Sequence, residues 1–183
     1  MTTADATTAA VSALRVPPHS VEAEQSVLGG LLLEFSAWDK VGDLLVPQDF
    51  YRHEHRDIFE AIGELVSASR EADVITVHER LKQTGRDGAE YSLAYLNSLA
   101  ASVPSAANIR RYAEIVRERA TLRALISAAD NMATAAFNPS GRSALEILDE
   151  AASVIGAFDR RSQRKAPRAV ADLLAAAIDR YTD

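Results

Sequence analysis

From Ser105 to Phe137 the chain runs without a proline or a glycine, and that absence predicts one long helix. Within it Ile115, Arg119, Leu122, Ile126, Ala129, Ala133 and Ala136 recur at alternating steps of four and three, and Ile109, Tyr112, Val116 and Leu125 widen the stripe. The turn NPSGR, Asn138 to Arg142, ends the helix, and Ser143 with Glu146 makes a capping box that starts another. Leu145, Leu148, Ala152, Ile155 and Phe158 carry its apolar face. The expectation is an antiparallel helical hairpin over 105–158. Two amphipathic helices alone cannot cover both stripes, so the hairpin either folds back on the rest of the chain or meets a second copy. Alanine-rich seams suit close helix contact in both cases. Self-association is the favoured reading, with Ile115, Arg119, Leu122, Ile126, Leu148, Ile155 and Phe158 as the dimer or partner interface.

The rest of the chain points to an all-α fold. Alanine and leucine abound, alternating Val, Ile and Thr runs are nearly absent, and aromatic residues make up only 6% of the 183 residues. The first 14 residues are small and polar, without a sustained apolar period, and are expected to form a disordered tail. Residues 15–104 are expected to form a compact helical bundle. Its first helix starts near Ser20, behind Pro17 and Pro18, with Glu22 and Glu24 suiting the positive helix end and a stripe of Val21, Val27, Leu28, Leu31, Leu32 and Phe35. Gly29 and Gly30 inside that helix point to close approach by another backbone or to a tolerated kink. A short helix around Trp38, Val41, Leu44 and Leu45 follows, with Trp38 expected to pack against the core. Ile58, Phe59, Ile62, Leu65 and Val66 mark a third helix, and Thr76 with Glu79 a capping box for a fourth that closes at Gly85. Tyr91, Leu93, Tyr95, Leu96 and Leu99 give a fifth, ending before Val103. Residues 159–183 read as a basic linker, DRRSQRKAPR, followed by the start of a linker helix at Val170, Leu173, Leu174, Ala177, Ile178 and Tyr181.

Little in the sequence supports catalysis. No GxxxxGK[ST] or GxGxxG occurs, so no phosphate-cradling loop is present, and no GxSxG elbow marks a nucleophile. With no cysteine there is neither a disulfide nor a thiolate site. His53 and His55 flank Glu54, but residues two apart on a helix point about 200° away from each other, which argues against a shared metal. No catalytic residue, bound cofactor or metal is assigned. A formal charge of −6 argues against tight duplex binding. The alternatives to an assembly module are a helical nucleic-acid-binding regulator, using Arg110, Arg111, Arg117, Arg119 and Arg123, or a stand-alone dimeric adaptor. No apolar run approaches membrane-spanning length and no secretion signal opens the chain, so a cytoplasmic location without membrane contact is expected.

Four segments in order, PPHSVEAEQSVLGGLL at 17–32, LLVPQDFYRHEHRDIFEAI at 44–62, DVITVHERL at 73–81 and YLNSLAASVPSAANIRRYAEIVRERATLRALI at 95–126, resemble the N-terminal domain of bacterial DnaB-type replicative helicases. The resemblance implies a collar and linker. The globule is followed by a hairpin, hairpins pair as homodimers, and dimers close a hexameric ring in the parent protein. It further implies recruitment of primase, a possible helicase loader as a partner, and DNA contact only through a motor domain. ATP and Mg2+ belong to that motor, which is absent from this sequence, so the enzyme activity is expected of the parent protein alone.

Overall fold

The computed structural model describes residues 16–103 and 106–163, with side-chain surroundings as far as Ala157. The expected tail at 1–14 and the expected linker helix beyond Gln163 lie outside the described residues. All regular structure among those described is helical, so the chain is all-α. Two compact parts divide between Ser127 and Ala128.

In the first part α1 (Val21–Leu33) is central, packing against α3 (His53–Ser67) and α5 (Leu93–Ala101). Its start is set by Ser20, whose hydroxyl accepts from the Ala23 N–H at 3.3 Å. Val27, Leu28 and Leu31 are fully buried. The helix ends where Glu34 turns extended, so Phe35 leaves the predicted stripe, opens a 3-10 turn over Phe35–Ala37 and is 43% exposed. The second apolar segment is shorter than expected: α2 is Trp38–Val41 only. Trp38 is half-buried and stacks on Phe59 with centroids 5.0 Å apart. A 3-10 turn at Pro47–Asp49 leads to α3.

The cap of α4 (Val74–Gln83) sits one turn earlier than the sequence suggests. Asp73 is the N-cap, accepting from the Thr76 N–H at 2.8 Å, while the Thr76 hydroxyl accepts from the Asp73 N–H at 2.9 Å. Thr76 is therefore the third helical residue rather than the cap, because aspartate competes for that role as well as threonine does. Gly85 closes the helix with φ +76°. Tyr91 belongs to a 3-10 turn before the Ser92 cap of α5, not to the helix itself.

The pair in α1 settles the question the two glycines raised. A Cβ on Gly29 would lie 2.2 Å from the carbonyl oxygen of Leu99, so α5 approaches at backbone distance. A Cβ on Gly30 would press only on the flexible end of Ile109, at 3.1 Å, with the Ala106 backbone at ordinary contact distance, 3.7 Å. Ile109 opens α6 (Ile109–Phe137), a helix of 29 residues. Its first turns do not leave the globule at residue 104 as expected. Ala106, Ile109, Ala113 and Val116 are buried in the same core as α1, because the face of α6 that reads as part of a long seam first has α1 to cover it. In the second part, the end of α6 and α7 (Ala144–Gln163) form the hairpin, and α7 continues past the expected linker start at Asp159.

Gly29→Ala is expected to lower unfolding free energy by about 1–3 kcal/mol through overpacking against backbone. Gly30→Ala should stay within about 1 kcal/mol of the parent, since alanine's helix preference offsets a yielding contact; urea unfolding of both variants separates the two cases. Burial, then its hydrogen bond to Asp57, pushes the Tyr91 phenol above its ordinary value of 10.0. A raised value in the fold stabilises below the unfolded value and is lost as the pH rises through the folded one. The melting temperature should therefore drop above about pH 10, and less steeply in Tyr91→Phe.

Candidate functional site

The first half of α6 is held by its arginines. Arg117 donates to both carboxylate oxygens of Asp49, at 2.8 and 2.9 Å, and Asp49 is buried at 4% exposure. The Val46 N–H also donates to that carboxylate, at 3.0 Å. One turn and a half further along, Arg123 donates to the carbonyls of Pro18 at 2.7 Å and Asp49 at 2.6 Å and lies 5.7 Å over the Tyr51 ring. Burial pulls its guanidinium below the ordinary value, with the Glu24 carboxylate opposing that shift, and arginine remains charged all the same. His19 stacks on Tyr51 at 4.3 Å. The entry to α1, the Pro47–Asp49 turn and α6 are thus fixed to one another.

Beneath this clasp lies a buried polar line. Glu24, placed by the sequence at the positive end of α1, is 1% exposed. Its carboxylate accepts from the Tyr51 N–H at 2.6 Å and the Arg52 N–H at 3.4 Å, satisfying donors at the start of α3. It also faces Nδ1 of fully buried His55 at 2.7 Å, so that nitrogen donates, and Nε2 lies 2.8 Å from the Tyr95 hydroxyl. His53 instead is exposed, its side chain 74% accessible beside Glu54. The two imidazoles occupy different environments, and among the described residues no group of three metal-ligating side chains gathers.

The hairpin shows how its apolar residues are divided. Ala128, Asn131, Met132 and Ala135 of α6 face Ile147, Glu150, Ala151 and Val154 of α7 around a crevice of about 120 Å³. Ser143 and Glu146 make the expected capping box, at 2.6 and 3.3 Å, and Arg142 pairs with Glu150 at 2.7 Å. The line of α7 that faces α6 is therefore Ile147, Ala151 and Val154, which lies next to the predicted apolar face of Leu145, Leu148, Ala152, Ile155 and Phe158. That predicted line stays open: Leu148 is 63% and Ile155 57% exposed. On α6, Leu122 is 36% and Ile126 48% exposed. Ile115 is half-buried against the globular core, and Arg119 is half-buried. The Phe158 side chain lies outside the described residues.

Of the arginines offered for nucleic acid, Arg117 and Arg123 are spent inside the fold, and Arg110 and Arg111 pair with Glu114 at 3.5 and 3.4 Å. Arg110 and Arg111 are exposed and share that single carboxylate. No helix among the described residues is long and apolar enough to cross a membrane.

A helical globule bearing a hairpin with one uncovered apolar line is the class these elements define. The model of the DnaB-like helicase N-terminal domain matches residues 16–118. The replicative DNA helicase DnaB of Pasteurella multocida is 39% identical over 167 residues, covering 90% of this chain and 36% of that protein. That of Haemophilus influenzae is 38% identical over 178 residues, covering 96% of this chain and 37% of the relative. The chain thus spans little more than a third of these relatives. A crystal structure of the N-terminal domain of DnaB helicase from Mycobacterium tuberculosis superimposes with a TM-score of 0.74 at 38% identity, covering 76% of this chain and 98% of the other. A DnaB-like replicative helicase, solved in a study of its interactions with primase, shares the fold with a TM-score of 0.62 at 21% identity, over 86% of this chain and 34% of that one. The chain belongs to the DnaB-like helicase N-terminal domain family.

Asp49→Ala would leave Arg117 and the Val46 N–H without their shared partner, and is expected to cost about 3 kcal/mol. Hydrogen exchange should then quicken in the first turns of α6, and unchanged exchange there would show that the clasp does not hold the helix.

Proposed function

We propose that this chain is the ring-assembly and primase-recruiting N-terminal domain of a hexameric replicative DNA helicase, which unwinds DNA at the fork in the cytoplasm. The observation that carries the reading is the division of apolar residues in the hairpin. One line of α7 closes on the end of α6, and a second, at Leu145, Leu148, Ala152 and Ile155, is left uncovered; Leu122 and Ile126 of α6 are exposed as well. Large exposed apolar lines on a soluble helix pair mark an interaction surface. The natural occupant is a second hairpin, giving a homodimer and, in the whole protein, a hexamer of such pairs. Family membership supports the assignment to a replicative helicase.

ATP and Mg2+ chemistry belongs to the remaining length of the relatives. This chain has no phosphate-binding loop, and the described residues hold no metal cluster. Primase docks on the paired hairpins in this reading; a fold relative was solved in connection with its interactions with primase, and a helicase loader is a further candidate partner. DNA is left to the motor in this reading: of the arginines of α6, Arg117 and Arg123 are engaged within the fold and Arg110 and Arg111 share Glu114.

Each side chain of this size contributes about 1.5–3 kcal/mol when fully buried, so four per subunit weigh against an association cost of about 4–15 kcal/mol. Leu122→Asp, Ile126→Asp, Leu148→Asp and Ile155→Asp are expected to give folded monomers, still helical by circular dichroism, that no longer bind primase. Sedimentation equilibrium is the check. A parent chain that is monomeric at high micromolar concentration, or variants that remain dimeric, would overturn the reading.

A further inference from the structure

Arg56 of α3, and Arg119 and Arg123 of α6, make no ion pair among the described residues. Their neighbours on the same helices and caps do: Arg52 with Glu54, Arg110 and Arg111 with Glu114, and Arg117 with Asp49. Arg56 and Arg123 are held by carbonyl oxygens instead, and by consecutive ones. Arg123 donates to Asp49 at 2.6 Å, while Arg56 donates to Phe50 at 2.7 Å and to Tyr51 at 3.3 Å. Two guanidiniums from separate helices thus converge on the backbone of 49–51. A carbonyl accepts such a charge-assisted hydrogen bond without cancelling the charge. Burial, opposed by Glu24, pulls Arg123 below its ordinary value, and the charge of Arg56 pulls the same way, so the two cations lie within each other's field. The carboxylates that favour the charged form of Arg123 are spent elsewhere: Glu24 on the Tyr51 and Arg52 N–H groups and His55, Asp49 on Arg117 and the Val46 N–H. Arg119 lies one helical turn before Arg123, an i,i+4 step at which like charges oppose each other. It is half-buried and makes no hydrogen bond among the described residues, and Arg56 is exposed.

The fork of arginine suits carboxylate and phosphate alike, and the extent of the cluster decides between their carriers. A nucleic-acid strand gains affinity with each phosphate it sets against a cation, and here three cations stand in a chain of formal charge −6. Strand binding also uses open aromatic faces, whereas Tyr51, the ring at this surface, is already stacked by His19 and covered by Arg123. A few carboxylates on a short acidic segment match the cluster in number and need no stacking face.

We propose that Arg56, Arg119 and Arg123 form a seat for an acidic peptide segment of a partner protein, whose carboxylates take the unspent N–H donors of these guanidiniums, Nη1 of Arg56 among them. The seat lies wholly in the first compact part of the chain. It does not depend on pairing of the hairpins.

The test is fluorescence anisotropy of fluorescein-labelled hexaglutamate with the full chain at low salt, against labelled hexaglutamine and a labelled oligothymidylate. Hexaglutamate is expected to bind the parent and hexaglutamine not to bind. Arg56→Gln and Arg119→Gln should each weaken hexaglutamate about tenfold, the loss of one charge-assisted contact. Arg119→Gln removes no polar contact within the fold, so its effect cannot come from a loosened clasp. Arg70 is exposed and also makes no ion pair among the described residues, and Arg70→Gln, which changes the net charge equally, should leave binding unchanged. A parent that does not bind hexaglutamate, an Arg119→Gln chain that binds as the parent does, or an Arg70→Gln chain weakened as much as the others would overturn the seat. Oligothymidylate bound more tightly than hexaglutamate, and weakened by the same two variants, would overturn the peptide and make the surface a nucleic-acid site.

Discussion

The absence of two side chains, at Gly29 and Gly30, decides where two other helices lie. The Leu99 carbonyl occupies the space a Cβ would need at Gly29, and Ile109 lies against Gly30. Helix α5 is therefore seated at backbone distance, and α6 begins on the adjoining surface of α1. Everything that follows in α6 inherits that starting point. Its first turns bury Ile109, Ala113 and Val116, and Arg117 and Arg123 then reach Asp49 and Pro18.

The polar interactions around that seat divide into anchoring and surface pairs. Asp49 and Glu24 are buried and fully engaged, each satisfying backbone donors as well as a side chain. Buried charges of this kind are weak evidence for stability but strongly penalise any arrangement that separates the partners. They hold turn, helix and long helix in one geometry. The Arg80–Glu64 and Arg86–Glu60 pairs, by contrast, sit at the surface, where each is worth little.

Much of the fold was legible because period and caps are local. Ser20, the Ser143 and Glu146 box, the stripe of α3 and the continuity of α6 each depend on residues within a few positions. The reading failed where two local solutions compete, as with Asp73 and Thr76, or where a turn of helix is lost, as at Phe35. It also missed interactions that join distant segments: no spacing rule connects Glu24 to His55, or Arg117 to Asp49. The hairpin surface was half legible. Sequence identified one apolar line of α7, through Leu145, Leu148, Ala152 and Ile155, and passed over the adjacent Ile147, Ala151 and Val154, about 100° away around the helix. Which line turns inward depends on the partner helix, where Ala128, Met132 and Ala135 present the complementary surface.

That division gives the two parts of the chain different dependence on their surroundings. The core around Leu28, Phe59 and Leu96 is closed by its own residues. In the hairpin, one of α7's lines is closed and the other awaits a cover, so whatever binds there adds to the hairpin's stability by mass action. With the hairpins paired as proposed, opening of the hairpin is governed by the concentration of the second copy, while the core opens at a free energy set by the chain alone. A dilute chain and a crowded one would share a globule and differ in how long the hairpin stays closed.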